Sequence, residues 1–243
     1  MADVKGVHAF NSDQEWRDRG FFLRQPPLVI VSYDPAGDGD DRDAIVVQSR
    51  EEHQRGEPHD PDFAVEMKFR VLMAQRLPVD YEYPEKVAKL LAIHRQLLQW
   101  TTVGRITAHA FAVESNGVGW GVASDLRSKI GGVVLPYTTI GSSMDKPYGG
   151  DKITMPRLAA LDWLRVMMET HHLKIIPNAP GSKELASELN SFVWRRPGRP
   201  EAMLGQKDDL VMALCGGVWI GSKIIGPSLK AQKMPKGRRV KVN

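Results

Sequence analysis

The chain has 243 residues, 42% of them hydrophobic and 26% charged, with a net charge of +4 and one cysteine, Cys215. This composition supports one large domain or two small ones and excludes a wholly disordered chain. It also excludes a disulfide framework, and with no basic-then-apolar leader and no apolar run near the about 20 residues a bilayer span needs, it predicts a soluble intracellular protein.

Residues 1–26 are polar and mixed, and Trp16, Phe21 and Phe22 among them are predicted to pack on the core. The run Leu28-Val29-Ile30-Val31-Ser32-Tyr33 reads as a strand buried on both faces, and it ends in Asp34. A Gly- and Asp-rich turn over 36–43 leads to a second strand at 44–48, so the two form an antiparallel hairpin. Residues 51–62 read as a charged loop. Val65, Met67, Phe69 and Val71 alternate with charged residues, which is strand periodicity with one wet face.

Pro84 suits the first position of a helix over 84–100, whose stripe is Val87, Leu90, Leu91, His94, Leu97 and Leu98. Residues 107–114 return to strand and end in Glu114. A turn holding Gly117, Gly119 and Gly121 follows, then a short helix to about 130 and a strand over 132–137. A helix over 154–171 is predicted to open with Thr154 as its cap. A short strand at 173–176 and a helix at 181–191 precede the last helix, 208–223, which opens on Asp208-Asp209. From Lys223 to the end there are seven Lys or Arg and no acid, which predicts a flexible basic tail suited to an anionic polymer.

Three strands joined without helices predict an antiparallel meander, and strands separated by helices predict parallel pairing. The expected fold is α/β: a ribonuclease H-like mixed sheet, a three-strand meander plus parallel strands, with helices on both faces. In that arrangement the first and fourth strands are neighbours, which brings Asp34 to Glu114. Three acids from distant segments repel one another unless cations sit among them, so Asp34, Glu114, Asp208 and Asp209 are candidate ligands for divalent metal. Two such ions suit phosphodiester cleavage.

These residues carry a resemblance. The segments VIVSYDPAGDGDDRDAIVV, AFAVESNGVGWGV and QKDDLVMAL together resemble the nuclease domain of the large terminase subunit of tailed bacteriophages. The likeness spans roughly 27–222, with 1–26 as an N-terminal extension and 223–243 as the basic tail. It implies an endonuclease that cuts concatemeric double-stranded viral DNA during genome packaging. The implied cofactors are two Mg²⁺ or Mn²⁺ ions on Asp34, Glu114, Asp208 and Asp209. The implied setting is the host cell cytoplasm, and the implied partners are the terminase ATPase, the small terminase subunit and the portal. Lys152 and Arg157 resemble the family's basic residues around the helix that follows. Trp194, Arg195, Arg196 and Arg199 form a basic, aromatic patch, and Lys236, Arg238 and Arg239 in the tail are further candidates for DNA contact. The ATPase phosphate loop, G-x-x-x-x-G-K-[ST], is absent. The chain is therefore expected to be an excised or separately encoded nuclease that cuts without translocating.

Other readings of the same pattern are a Holliday-junction resolvase, a transposase, or a non-catalytic DNA-binding module of the same fold. A sugar-kinase-like ATPase is disfavoured because no second phosphate-binding Gly hairpin is present. Asp38, Asp40, Asp41 and Asp43 read as turn formers and solvated charges, with a water-mediated second-metal contact as the alternative. His94 reads as a core residue, and His171-His172 as cations at a helix C-terminus.

Overall fold

The computed structural model describes residues 17–36, 42–130, 133–141, 153–196, 199–202 and 207–225. Its strands are β1 (Phe22–Leu23), β2 (Leu28–Asp34), β3 (Ala44–Arg55), β4 (Ala64–Arg76), β5 (Ala108–Glu114), β6 (Val133–Ile140), β7 (Ile153–Pro156), β8 (Leu173–Ile175), β9 (Phe192–Arg196) and β10 (Arg199–Ala202). Its helices are α1 (Tyr83–Thr102), α2 (Gly119–Lys129), α3 (Arg157–Glu169), α4 (Ser182–Ser191) and α5 (Asp209–Trp219), the last continuing into a π-helical turn (Ile220–Ile224). No helix among the described residues is long and apolar enough to cross a membrane.

The main sheet runs β7-β6-β5-β2-β3-β4-β8, with β1 added to β3. β2, β3 and β4 form the predicted antiparallel meander, and β5, β6, β7 and β8 join in parallel. Alternation along β2 sorts the two cores. Val29, Val31 and Tyr33 face α1 and α2, while Ile30 faces the side covered by α3, α4 and α5. Asp34 follows Ile30 and Ser32 in that alternation, so it belongs to the α5 side.

Helix α5 is buried along its whole length. Its glycines let it press on the sheet. A Cβ at Gly216 would lie 2.0 Å from the Tyr137 hydroxyl, and one at Gly217 would lie 1.8 Å from Gln48 Nε2. This close approach fixes where the helix begins, and so where Asp208 and Asp209 stand.

Several boundaries differ from the sequence reading. Residues 51–55 are strand, because their charges are paired: Glu51 meets His53 at 3.0 Å and Arg70 of β4 at 2.7 Å, and Glu52 meets Arg50 at 2.8 Å. Burial works to raise the Glu51 pKa, but the bonds and charges of His53 and Arg70 outweigh it and leave the group below its usual value. Thr154 caps no helix: it lies in β7, paired with Thr138, and α3 begins after Pro156. On α1 the buried stripe takes in Ile93, while Leu98 is half exposed. Phe21 is buried, Phe22 is exposed, and Trp16 lies outside the described residues. Cys215 is a buried core residue, and burial raises its thiol to about 12.

Candidate functional site: an acidic row at the strand ends

Strand β2 pairs with β5 through Tyr33 and Val113, so Asp34 and Glu114 are the next residues on neighbouring strands. Their carboxyl groups stand side by side, close enough for each to act on the other. Burial, then the adjacent carboxyl group of Glu114 and its charge, then the charges of Asp209 and Asp208, hold Asp34 well above the ordinary carboxylate range. Asn116 Nδ2 donates to Glu114 Oε1 at 2.8 Å. The turn after β5 closes tightly: a Cβ at Gly119 would lie 1.8 Å from the Glu114 carbonyl oxygen, and Gly117 has a φ of +54°. Those two glycines are needed to fold the chain back over Glu114.

Asp208 is the N-cap residue of α5, and Asp209 opens its first turn. Asp208 makes no side-chain cap bond; it accepts from Arg157 Nη2 at 2.7 Å. Asp209 is 7% exposed and accepts from Arg76 Nε at 3.3 Å. Both aspartates are close enough to Asp34 for their charges to raise its pKa. The four acids found in the sequence therefore converge. They do so as two adjacent carboxyl groups and two held by arginines. Among the described residues, no three acidic, histidine or cysteine side chains stand as a ready cage for a metal ion.

A fifth acid, missed in the sequence, completes the row. Glu188 of α4 is 4% exposed, and its Oε1 accepts from the Val211 backbone N–H at 2.9 Å. Its Oε2 accepts from Arg76 Nη2. Burial outweighs these contacts and, with Asp209 and Asp208 nearby, raises Glu188 to about 7. The signal that finds it is spacing: Ser182, Leu185 and Glu188 recur every three residues, which places Glu188 on the inward face of α4.

Asp43 is neither a solvated turn charge nor free to reach a metal. It is buried, and its carboxylate takes the Tyr33 hydroxyl at 2.5 Å, the Ala36 N–H at 3.1 Å and Lys86 Nζ at 2.6 Å. It anchors Tyr33 and Ala36, on either side of Asp34, from behind. Asp38, Asp40, Asp41, Lys152, Lys236, Arg238 and Arg239 lie outside the described residues. Arg195 and Arg196 fall in β9, part of a hairpin with β10 that the sequence reading did not anticipate. Lys223 is not part of a loose tail: its ammonium sits 4.2 Å from the ring centre of Trp163 and 5.8 Å from that of Trp219. His94 joins His109, Nδ1 to Nε2, at 2.8 Å. His172 sits 3.1 Å from Glu66, and His171 takes a φ of 60° after α3.

No protein-family model matches the chain, and no curated protein does. Solved structures do. A human cytomegalovirus terminase nuclease domain, Mn-soaked and inhibitor-bound, is 11% identical over 90% of this chain and 91% of its own, with a TM-score of 0.53. The large terminase nuclease of thermophilic phage G20c with bound cobalt is 18% identical over 82% and 86%, with a TM-score of 0.48. The nuclease domain of the Thermus phage P74-26 large terminase is 14% identical over 83% and 85%, also at 0.48. At such identities the likeness concerns the fold, and the cytomegalovirus domain carries it. The chain has the ribonuclease H-like fold of terminase nuclease domains.

Proposed function

We propose that this chain is a divalent-metal-dependent endonuclease that cuts concatemeric double-stranded viral DNA during genome packaging. The convergence of Asp34 and Glu114, at the ends of neighbouring strands, with Asp208 and Asp209 at the start of α5 carries this reading. Two acids held in contact at the rim of a sheet are unfavourable unless a proton or a cation joins them. The whole donor set, Asp34, Glu114, Asp208 and Asp209, is carboxylate oxygen, which suits Mg²⁺ or Mn²⁺ over softer metals. The Mn-soaked cytomegalovirus domain of the same fold supports the choice of metal.

Two bound ions would activate a water and stabilise the leaving oxygen of the phosphodiester. The protein's own part is placement. Asp34, on the central strand, and Glu114 beside it would hold the ions from the sheet, and the start of α5 would supply Asp208 and Asp209. Arg157, which holds Asp208, and Arg76, which holds Asp209, would yield those carboxylates to a bound cation. Arg157, released from Asp208, would be free to meet a DNA phosphate at the site. In this role the chain works in the host cell with the terminase ATPase, the small subunit and the portal.

The test is plasmid cleavage with Mg²⁺ or Mn²⁺, beside Asp34→Ala. Metal-dependent nicking and linearisation lost in the variant is the expected result. Equal cutting by both proteins, or none by either at any metal concentration, sinks the proposal.

A further inference from the structure

Glu188 stands where a carboxylate is costly. The face of α4 that carries Leu185, fully buried, also carries Glu188 one turn on. A leucine there would extend the same apolar stripe without desolvating a charge. The two bonds that Glu188 makes account for the exception.

The first concerns Asp208. An aspartate at an N-cap ordinarily bonds the N–H of the second or third helical residue with its own side chain. Val211 is the third residue of α5, and its N–H goes to Glu188 Oε1 at 2.9 Å. Asp208 is thereby relieved of capping and points to Arg157 instead. The second concerns Asp209. Arg76 ends β4 in register with Ala44, which is itself in register with Asp34, so its guanidinium reaches the acidic row from the far side. Arg76 gives Nη2 to Glu188 and Nε to Asp209, dividing itself between the two acids.

We infer that Glu188 is a positioning residue for the acidic row: it caps α5 in place of Asp208 and draws Arg76 away from Asp209, keeping both aspartates available to a cation. The inference rests on the metal-binding reading proposed above. Removing the negative charge of Glu188 lets Arg76 close on Asp209 and compete with the metal.

Mn²⁺ titration calorimetry on the full chain tests this, with wild type, Glu188→Gln, Arg76→Gln and the double variant. Glu188→Gln keeps the volume and an acceptor for Val211, so the fold is retained. It is expected to weaken Mn²⁺ binding by about 10- to 100-fold, the range for partners that orient metal ligands. Adding Arg76→Gln removes the competitor and restores most of the affinity, which a merely structural lesion would not allow. Arg76→Gln alone binds at least as tightly as wild type. Wild-type affinity in Glu188→Gln, no restoration in the double variant, or weaker binding by Arg76→Gln overturns the inference while leaving the metal site standing. A wild-type protein that binds no Mn²⁺ overturns the site and the inference together.

Discussion

Asp34 and Glu114 end neighbouring parallel strands one step beyond the Tyr33–Val113 pair, so their carboxyl groups stand side by side. The fold imposes this contact: the register of β2 on β5 is set by two buried faces, and a slip of one residue would turn every apolar side chain of the slipped strand to the wrong core. The acids are held together by the hydrophobic pattern beneath them, at a cost to the metal-free protein.

That cost is measurable. Asp34→Asn keeps the shape, lets an amide donate to Glu114, and removes a charge held near three others. In EDTA the variant is expected to melt about 2–8 °C above wild type, while losing cleavage. The gain depends on pH. The folded pKa of Asp34 is raised, so folding favours its protonated form; the penalty on wild type is absent below the unfolded value and grows as pH rises through the folded one. The stability gap should therefore widen from acid to neutral pH. A variant less stable than wild type at neutral pH in EDTA contradicts the repulsion.

The close approach of α5 gives a prediction of opposite sign to helix propensity. Alanine in place of an exposed helical glycine stabilises by about 1 kcal/mol. At Gly217 the new Cβ would fall 1.8 Å from Gln48 Nε2 and 2.8 Å from Ser32 Oγ. Gly217→Ala is expected to cost about 1–3 kcal/mol through overpacking. Because the helix must lift from the sheet, Mn²⁺ affinity should fall with it. Thermal melting and calorimetry check both, and a raised melting temperature would show that the helix has room.

Much of this architecture was legible in the sequence, and what was not has identifiable causes. Strands β2 and β5 are long apolar runs stopped by an acid, and α5 is apolar throughout after two aspartates, so local pattern and tertiary role agree. The end of β3 reads as loop because Glu51 and Glu52 are charged and His53 is polar, and one of their partners, Arg70, stands on another strand. Asp43 read as a wet turn residue, yet the Lys86 that meets it comes from α1, far along the chain. Glu188 gives no signal of its own, because glutamate is common on the polar face of a short helix; only the inward position of Leu185 turns that face around. In each of these three cases a charged group is satisfied at least in part by a distant partner, which no local window contains.

The histidine pair titrates in a different direction from Asp34. Burial lowers both His94 and His109, with Arg95 adding to the first and His94 to the second. A histidine with a depressed folded pKa supports the fold above its unfolded value near 6.5 and ceases to do so as pH falls through the folded value. The ring-to-ring bond at 2.8 Å also needs one neutral nitrogen as acceptor, so a second proton breaks it. His109→Gln is expected to lose most of the wild type's excess destabilisation between pH 6.5 and 5. Parallel melting curves for the two proteins across that window would contradict a titrating pair.

The basic tail can be separated from the site. Lys223 rests on Trp163 and Trp219, so a truncation that spares the end of α5 must begin after residue 225. Residues 226–243 hold six Lys or Arg and no acid. If they lie along DNA, each phosphate they neutralise releases counterions, and the slope of log affinity against log salt contains about 0.9 for each contact. Removing 226–243 should then weaken duplex binding in EDTA and flatten that slope by up to about 5. The effect should be the same for any duplex sequence, because phosphate contacts carry no base information. Fluorescence anisotropy at a series of salt concentrations reads both quantities. An unchanged slope with full-length affinity would remove the tail from the DNA interface. A flattened slope with intact metal-dependent cutting at low salt would assign it to holding the substrate rather than to cleavage.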